Sequence, residues 1–145
     1  MSASKLTSYH NWPSFGAVVG ATANVANINV TTTGNIANVL LKRYNETVIA
    51  GGNTSTSISP DISTGTIFNY TANNNFTFNG FTNAVAGASA VINITQDATG
   101  SRTMTSTMKF AGGSKTLSTT AGAIDLVSVY YDGTNYFATL SKGYA

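Results

Sequence analysis

The sequence predicts an all-β protein: an antiparallel β-sandwich, jelly-roll-like, of about ten short strands with an extended N-terminal arm. Three observations lead there. Val, Ile, Phe, Tyr and Thr recur in short runs of period two, the pattern of half-buried strands. Clusters of Gly, Asn and Asp break the chain every roughly 8 to 12 residues. Helical spacing of apolar residues is nearly absent; even the Ala-rich run at 82–88 is interrupted by Gly87 and lacks a 3.6 period.

Residues 1–35 read as the arm and residues 36–145 as the sandwich domain. The arm carries scattered rings at Tyr9, Trp12 and Phe15, and Pro13 blocks regular structure beside them. Two readings stand for it. One is a frayed terminus. The other is an anchor whose Trp12 and Phe15 pack on a neighbouring subunit, since disordered segments seldom carry such aromatics.

Strand signals follow in order. Val39 to Leu41 leads into Lys42, Arg43 and Tyr44, and Asn45 with Glu46 makes a turn before Thr47, Val48 and Ile49. Gly51, Gly52 and Asn53 break the chain. Residues 57–62 alternate, with Pro60 placed at an edge or strand end. Residues 66–71 and 76–78 are strands parted by Asn73, Asn74 and Asn75, a turn signal. Residues 90–95, 102–110 and 124–131 continue the series. Asp97 and Gly100 shape one hairpin turn. Asp132, Gly133 and Asn135 shape the next, which leads into residues 136–140.

The chemistry-bearing residues are few. Charged residues make up 8% of the 145, while 23 Thr, 16 Asn and 15 Ser supply the polar surface. A net charge of +2 without a basic stripe does not mark a nucleic-acid binder. With no cysteine, disulfides and thiolate zinc sites are excluded. The single histidine, His10, lies in the arm, and no Gly-x-Ser-x-Gly elbow supplies a nucleophile. The five carboxylates are spread along the chain; Asp97 and Asp132 fall in turns, where Asp bonds its own backbone. A glycosidase needs two carboxylates converging on one bond, and nothing in the spacing brings a pair together. No catalytic residue, cofactor or metal is therefore expected. Arg102 and Asp125 are expected to form a structural ion pair between hairpins. The rings Tyr130, Tyr131, Tyr136, Phe137 and Tyr144 either stack on pyranose faces or divide between the core and cross-strand pairs.

Residues 92–136 carry a combination of motifs: Thr-Gln-Asp-x-Thr-Gly-x-Arg from Thr95 to Arg102, Phe-x-Gly-Gly at Phe110, Leu-Ser-Thr at Leu117, Asp-Leu-Val-Ser at Asp125 and Tyr-Asp-Gly-Thr-Asn-Tyr at Tyr131. This stretch resembles a module of tailed-bacteriophage fibre and virion structural proteins, which often has Trp where Phe110 stands and Pro where Lys115 stands. The resemblance implies a β-sandwich, a homotrimer, and display on the virion in contact with other capsid or tail proteins. The expected function is a non-enzymatic capsid-decoration or head-fibre subunit attached through its arm. The alternative is a tail-fibre tip that recognises a host surface glycan. Neither nucleic acid nor membrane insertion is expected.

Overall fold

The structure, a computed structural model, describes residues 42–144. The arm, with Trp12 and Phe15, lies outside the described residues. The described body is all-β apart from one short 3-10 turn at Ala111–Gly113. Its strands are β1 (Val48–Asn53), β2 (Ser57–Ile58), β3 (Ile67–Ala72), β4 (Phe76–Phe78), β5 (Ser89–Gln96), β6 (Met104–Thr105), β7 (Lys109–Phe110), β8 (Ile124–Tyr131) and β9 (Tyr136–Tyr144).

The antiparallel sandwich is not what these strands build. β1, β3 and β5 lie side by side and parallel, and β2, β4 and β6 do the same in a second sheet. The chain thus runs large sheet, corner, small sheet, return, three times over, as successive rungs of a β-solenoid-like body. Only after the third rung does it reverse: β8 pairs antiparallel with β5, β9 pairs antiparallel with β8, and β7 closes the edge parallel to β9. The large sheet is therefore mixed, in the order β1-β3-β5-β8-β9-β7, and the small one is β2-β4-β6.

The difference has a physical reason. Period-two alternation reports which side chains point inward, and it is the same for parallel and antiparallel neighbours. The Asn-rich break at 73–75 is a corner between two sheets, not a hairpin turn. There the Asn74 side-chain amide bonds the Thr54 carbonyl of the preceding rung, and the Thr103 N–H of the following rung bonds Asn75 Oδ1 at 3.0 Å.

Inward residues stack in register. Ile49, Phe68, Ile92, Val127 and Leu140 form one row across five strands. Phe68, Ile92 and Val127 are fully buried. The small sheet answers with Ile58, Phe76, Phe78 and Met104, and both sheets share one core. Outward polar residues stack as well: Asn93 donates to Asn69 at 2.6 Å, and Thr77 bonds Thr105 at 2.8 Å. Gly80, at φ 134°, is required where it stands. A Cβ there would lie 2.5 Å from the Tyr136 ring, which packs edge-on to Phe81 and donates its hydroxyl to the Phe81 carbonyl.

Asp125 is fully buried on β8, and Arg102 is not its partner. Its carboxylate accepts the Ser118 N–H at 2.6 Å, the Ser118 hydroxyl at 2.7 Å and the Gly143 N–H at 2.9 Å. One side chain thus holds the long 114–123 loop to the end of β9. Replacing it by Ala takes the charged acceptor from the Ser118 and Gly143 N–H groups, and hydrogen bonds to a charged group are worth about 1.5–3 kcal/mol each. Asp125→Ala is expected to lose roughly 3 kcal/mol of stability in denaturant unfolding, against under about 1 kcal/mol for Ile124→Thr on the solvent side of the same strand.

Candidate functional site

The large sheet curls around an open groove of about 600 Å³ on its outward side. The groove draws on β5, β8, β9 and β7, with Glu46 from the segment before β1. Its side chains follow from strand register. One outward row runs Ser89, Tyr130, Phe137, Lys109, and the next runs Val91, Ser128, Thr139. Between them lies the inward row Ala90, Val129, Ala138, Phe110, whose backbone forms the groove floor.

Tyr130 and Phe137 are 46% and 41% exposed, unusual for large rings held on strands. Their centroids lie 6.5 Å apart with planes 25° from parallel, so together they present a flat aromatic surface. The Lys109 ammonium sits 5.4 Å from the Phe137 centroid, within cation–π range. Glu46 accepts a hydrogen bond from the Thr66 hydroxyl. The groove therefore offers an apolar stacking surface edged by hydroxyls, one cation and one carboxylate. Such a site can bind a ligand with apolar faces and polar rims.

The five rings singled out in the sequence are split by the fold. Tyr131 and Tyr136 stack on each other at 4.4 Å, with Tyr136 turned toward the core. Tyr144 stands exposed at the end of β9. Tyr130 and Phe137 alone share the groove. Alternation separates Tyr130 from Tyr131 and Phe137 from Tyr136, but only cross-strand pairing, Tyr130 to Phe137 and Tyr131 to Tyr136, shows which rings meet. Lys109 and Glu46 carried no recognisable signal, being isolated charges far apart in sequence.

The turn residues lie away from the groove. Asp97 caps its own loop, accepting the Thr99 and Gly100 N–H groups at 3.0 and 2.9 Å. Its other oxygen takes both Arg102 Nε, at 3.1 Å, and Nη2, at 2.7 Å. Arg102 thus pairs five residues back rather than across to β8, because the buried Gln96 side chain grips its backbone N–H and carbonyl and turns it over the loop. Gly100, at φ 71°, leaves room for the Thr119 carbonyl, which a Cβ would meet at 2.4 Å. Asp132 accepts the Thr134 and Asn135 N–H groups at 2.7 and 2.6 Å, and Gly133 takes φ 102°. Asp61 likewise serves a local turn, bound by Ser63 and Asn83. Among the described residues no three acidic or imidazole side chains gather into a metal-binding group.

The fold and groove define a class: a β-solenoid-like body with an open, aromatic-lined groove on one sheet. Comparison with protein families is specific. Residues 58–136, more than half of the chain, match the family "Putative phage tail fibre C-terminal domain", and the chain belongs to that family. It is thus a fibre-type structural protein of the phage virion. No curated protein and no solved structure matches it.

The Arg102 bonds, with the Gly100 and Thr99 N–H groups, hold the Asp97 carboxyl below its ordinary value of 3.8. Asp132 and Asp61 are lowered too, chiefly by hydrogen bonds from Asn135 and from Asn83. A carboxylate with a depressed folded-state pKa contributes stability above its unfolded value and loses it as pH falls through the folded value. The stability these three groups contribute is accordingly expected to be lost as pH falls below about 4 and they protonate. In carboxyl NMR titrations, Arg102→Leu should move Asp97 back toward 3.8 and leave Asp132 unmoved.

Proposed function

We propose that this chain is the tip module of a tail fibre, binding a host-surface glycan without catalysis, as a homotrimer. The family match supports this over capsid decoration, since its description is of a tail fibre C-terminal domain. The observation that carries the glycan is the Tyr130–Phe137 surface. A pyranose has one face of C–H groups that packs on an aromatic ring, and hydroxyls around its rim. The groove matches both, with the rings as platform and Ser89, Ser128, Thr139, Lys109 and Glu46 at hydrogen-bonding positions. The described carboxylates are committed to turns, to Asp125's buried bonds, or to Thr66, which leaves the groove without an acid–base pair. The neutral Ser, Thr and Asn surface supports assembly with copies and with other virion proteins, because burying it strands no charge. Attachment through the arm, with Trp12 and Phe15 as anchors, remains part of the proposal; deleting residues 1–16 should abolish incorporation into particles and leave glycan binding intact.

The test is glycan-array binding against surface polysaccharide of susceptible hosts. Tyr130→Ala and Phe137→Ala are each expected to weaken binding about tenfold, the scale of one lost stacking contact of ~1.4 kcal/mol. Tyr144→Ala, outside the groove, should bind normally. If the wild-type protein binds no host glycan, this reading is lost; turnover of a polysaccharide would replace it with an enzymatic one.

A further inference from the structure

We propose that the glycan held by the groove is an acidic one, its anionic group seated by Lys109 in a second, smaller cavity that meets the groove at that residue. The inference rests on the glycan reading of the groove and adds the chemical class of the sugar.

The second cavity is the first observation. It measures about 150 Å³, against about 600 Å³ for the groove. At roughly 30 Å³ per water it takes about five waters, or one charged substituent of a sugar. It lies where Asn79 and Thr107, outward on the small sheet, meet Thr134 and Asn135 of the turn after β8, with Tyr136 beside them. Lys109 lines this cavity and the groove alike. The chain places it there: after Thr107 it leaves the small sheet, Met108 turns into the core, and Lys109 reaches the rim between the two as the first residue of β7.

The second observation is the set of donors. Asn79 Oδ1 accepts the Thr107 N–H at 2.9 Å, which fixes the amide and leaves its Nδ2 hydrogens without a partner among the described residues. The Thr107 and Thr134 hydroxyls make no hydrogen bond among those residues either, since only the backbone N–H of each is engaged. An ammonium, an amide and two hydroxyls can all donate to one anion.

The third is charge. Arg102 is bound by Asp97, and Lys115 by the Ser106 carbonyl at 2.5 Å. Lys109 has no ion pair and no hydrogen bond among the described residues, and its ammonium lies 5.4 Å from the Phe137 centroid. An anion bound to it therefore sits next to the ring on which the sugar stacks. Two carboxylates bear on this arrangement. Asp132 is occupied by the Asn135 and Thr134 N–H groups, feels Lys109 only weakly beside those bonds, and does not pair with it. Glu46 lies ahead of β1, at the other edge of the sheet, bonded to Thr66. It repels an acid from that end, so an acidic sugar is held in one direction, with its charge toward Lys109.

The test is binding of the full chain to surface polysaccharide of a susceptible host in three forms: intact, with carboxyl groups reduced to alcohols, and with phosphate esters removed. Circular dichroism confirms the fold of each variant. The intact polymer is expected to bind about tenfold tighter than one of the two treated forms, and which one identifies the anion. Lys109→Met keeps an apolar stem against Phe137 and removes the charge. It should bring the intact polymer down to the level of that treated form and leave the treated form within about twofold of wild type. Lys109→Arg should stay within about threefold on the intact polymer, and Thr107→Val combined with Thr134→Val should weaken it about threefold. Equal binding of all three forms, a Lys109→Met loss of the same size on intact and treated polymer, wild-type affinity in Lys109→Met, or wild-type affinity in the double Thr variant each overturns the proposal. The parent reading fails differently. A wild type that binds no form loses both, whereas weakening by Tyr130→Ala with no difference between forms keeps the glycan and removes only its acid.

Discussion

The register of β5 is the constraint on which the rest of the body depends. This strand is parallel to β3 on one side and antiparallel to β8 on the other, so it joins the three rungs to the closing hairpin. Ile92, fully buried at its centre, touches Phe68 of the rung before and Val127 of the hairpin after. A slip of one residue would turn Ile92 and Ile94 to solvent and drive Val91 and Asn93 into the core. It would also part Asn93 from Asn69 and pull Ser89 away from Tyr130, dismantling the polar ladder and the groove together. Core, ladder and groove are therefore three readings of one alignment.

A protein with so few charges needs another way to hold its loops, and side chains bonded to backbone supply it. Gln96 grips both polar groups of Arg102, Asp125 collects Ser118 and Gly143, and Asn79 Oδ1 takes the Thr107 N–H at 2.9 Å. Each joins segments that the sheet ladders do not reach. Short Asn, Asp and Ser side chains are suited to this because they mimic backbone donors and acceptors and lose little rotamer entropy when fixed. The abundance of Asn and Thr is then a consequence of the architecture: solenoid corners and outward ladders repeat once per rung, and each repeat asks for a short polar side chain at the same place.

The sequence made the strands legible and hid how they pair. Alternation in residues 90–95 and 124–131 located β5 and β8, and the scarcity of helix follows from the same runs. What alternation does not encode is the direction of the neighbouring strand. Residues 66–71 and 76–78, separated by three asparagines, read equally as a hairpin and as a rung turning a corner, and only the pairing of Phe68 with Ile49 and Ile92 decides. The groove was half visible. Tyr130 and Phe137 stood out as aromatics flanking the Asp132 turn, but Glu46 and Lys109 lie 63 residues apart and only the curl of the sheet brings both to one groove. Arg102 was misassigned because Asp125 is buried and its carboxylate is taken by Ser118 and Gly143, while Asp97, five residues back, is open to the guanidinium.

The two faces of the body also bear on how such a module works at a virion surface. A solenoid exposes its two outer faces at full length, so they cannot both be sticky without drawing free molecules into aggregates, nor both wet without losing their partners. Here the small sheet carries only hydroxyls and amides outward, and the large sheet carries Val48, Ile67, Val91, Tyr130 and Phe137. With charge so sparse, long-range electrostatics contributes little to steering or repulsion, and contact is governed by shape and apolar area. Contacts made this way depend weakly on salt, whatever ionic medium surrounds the particle.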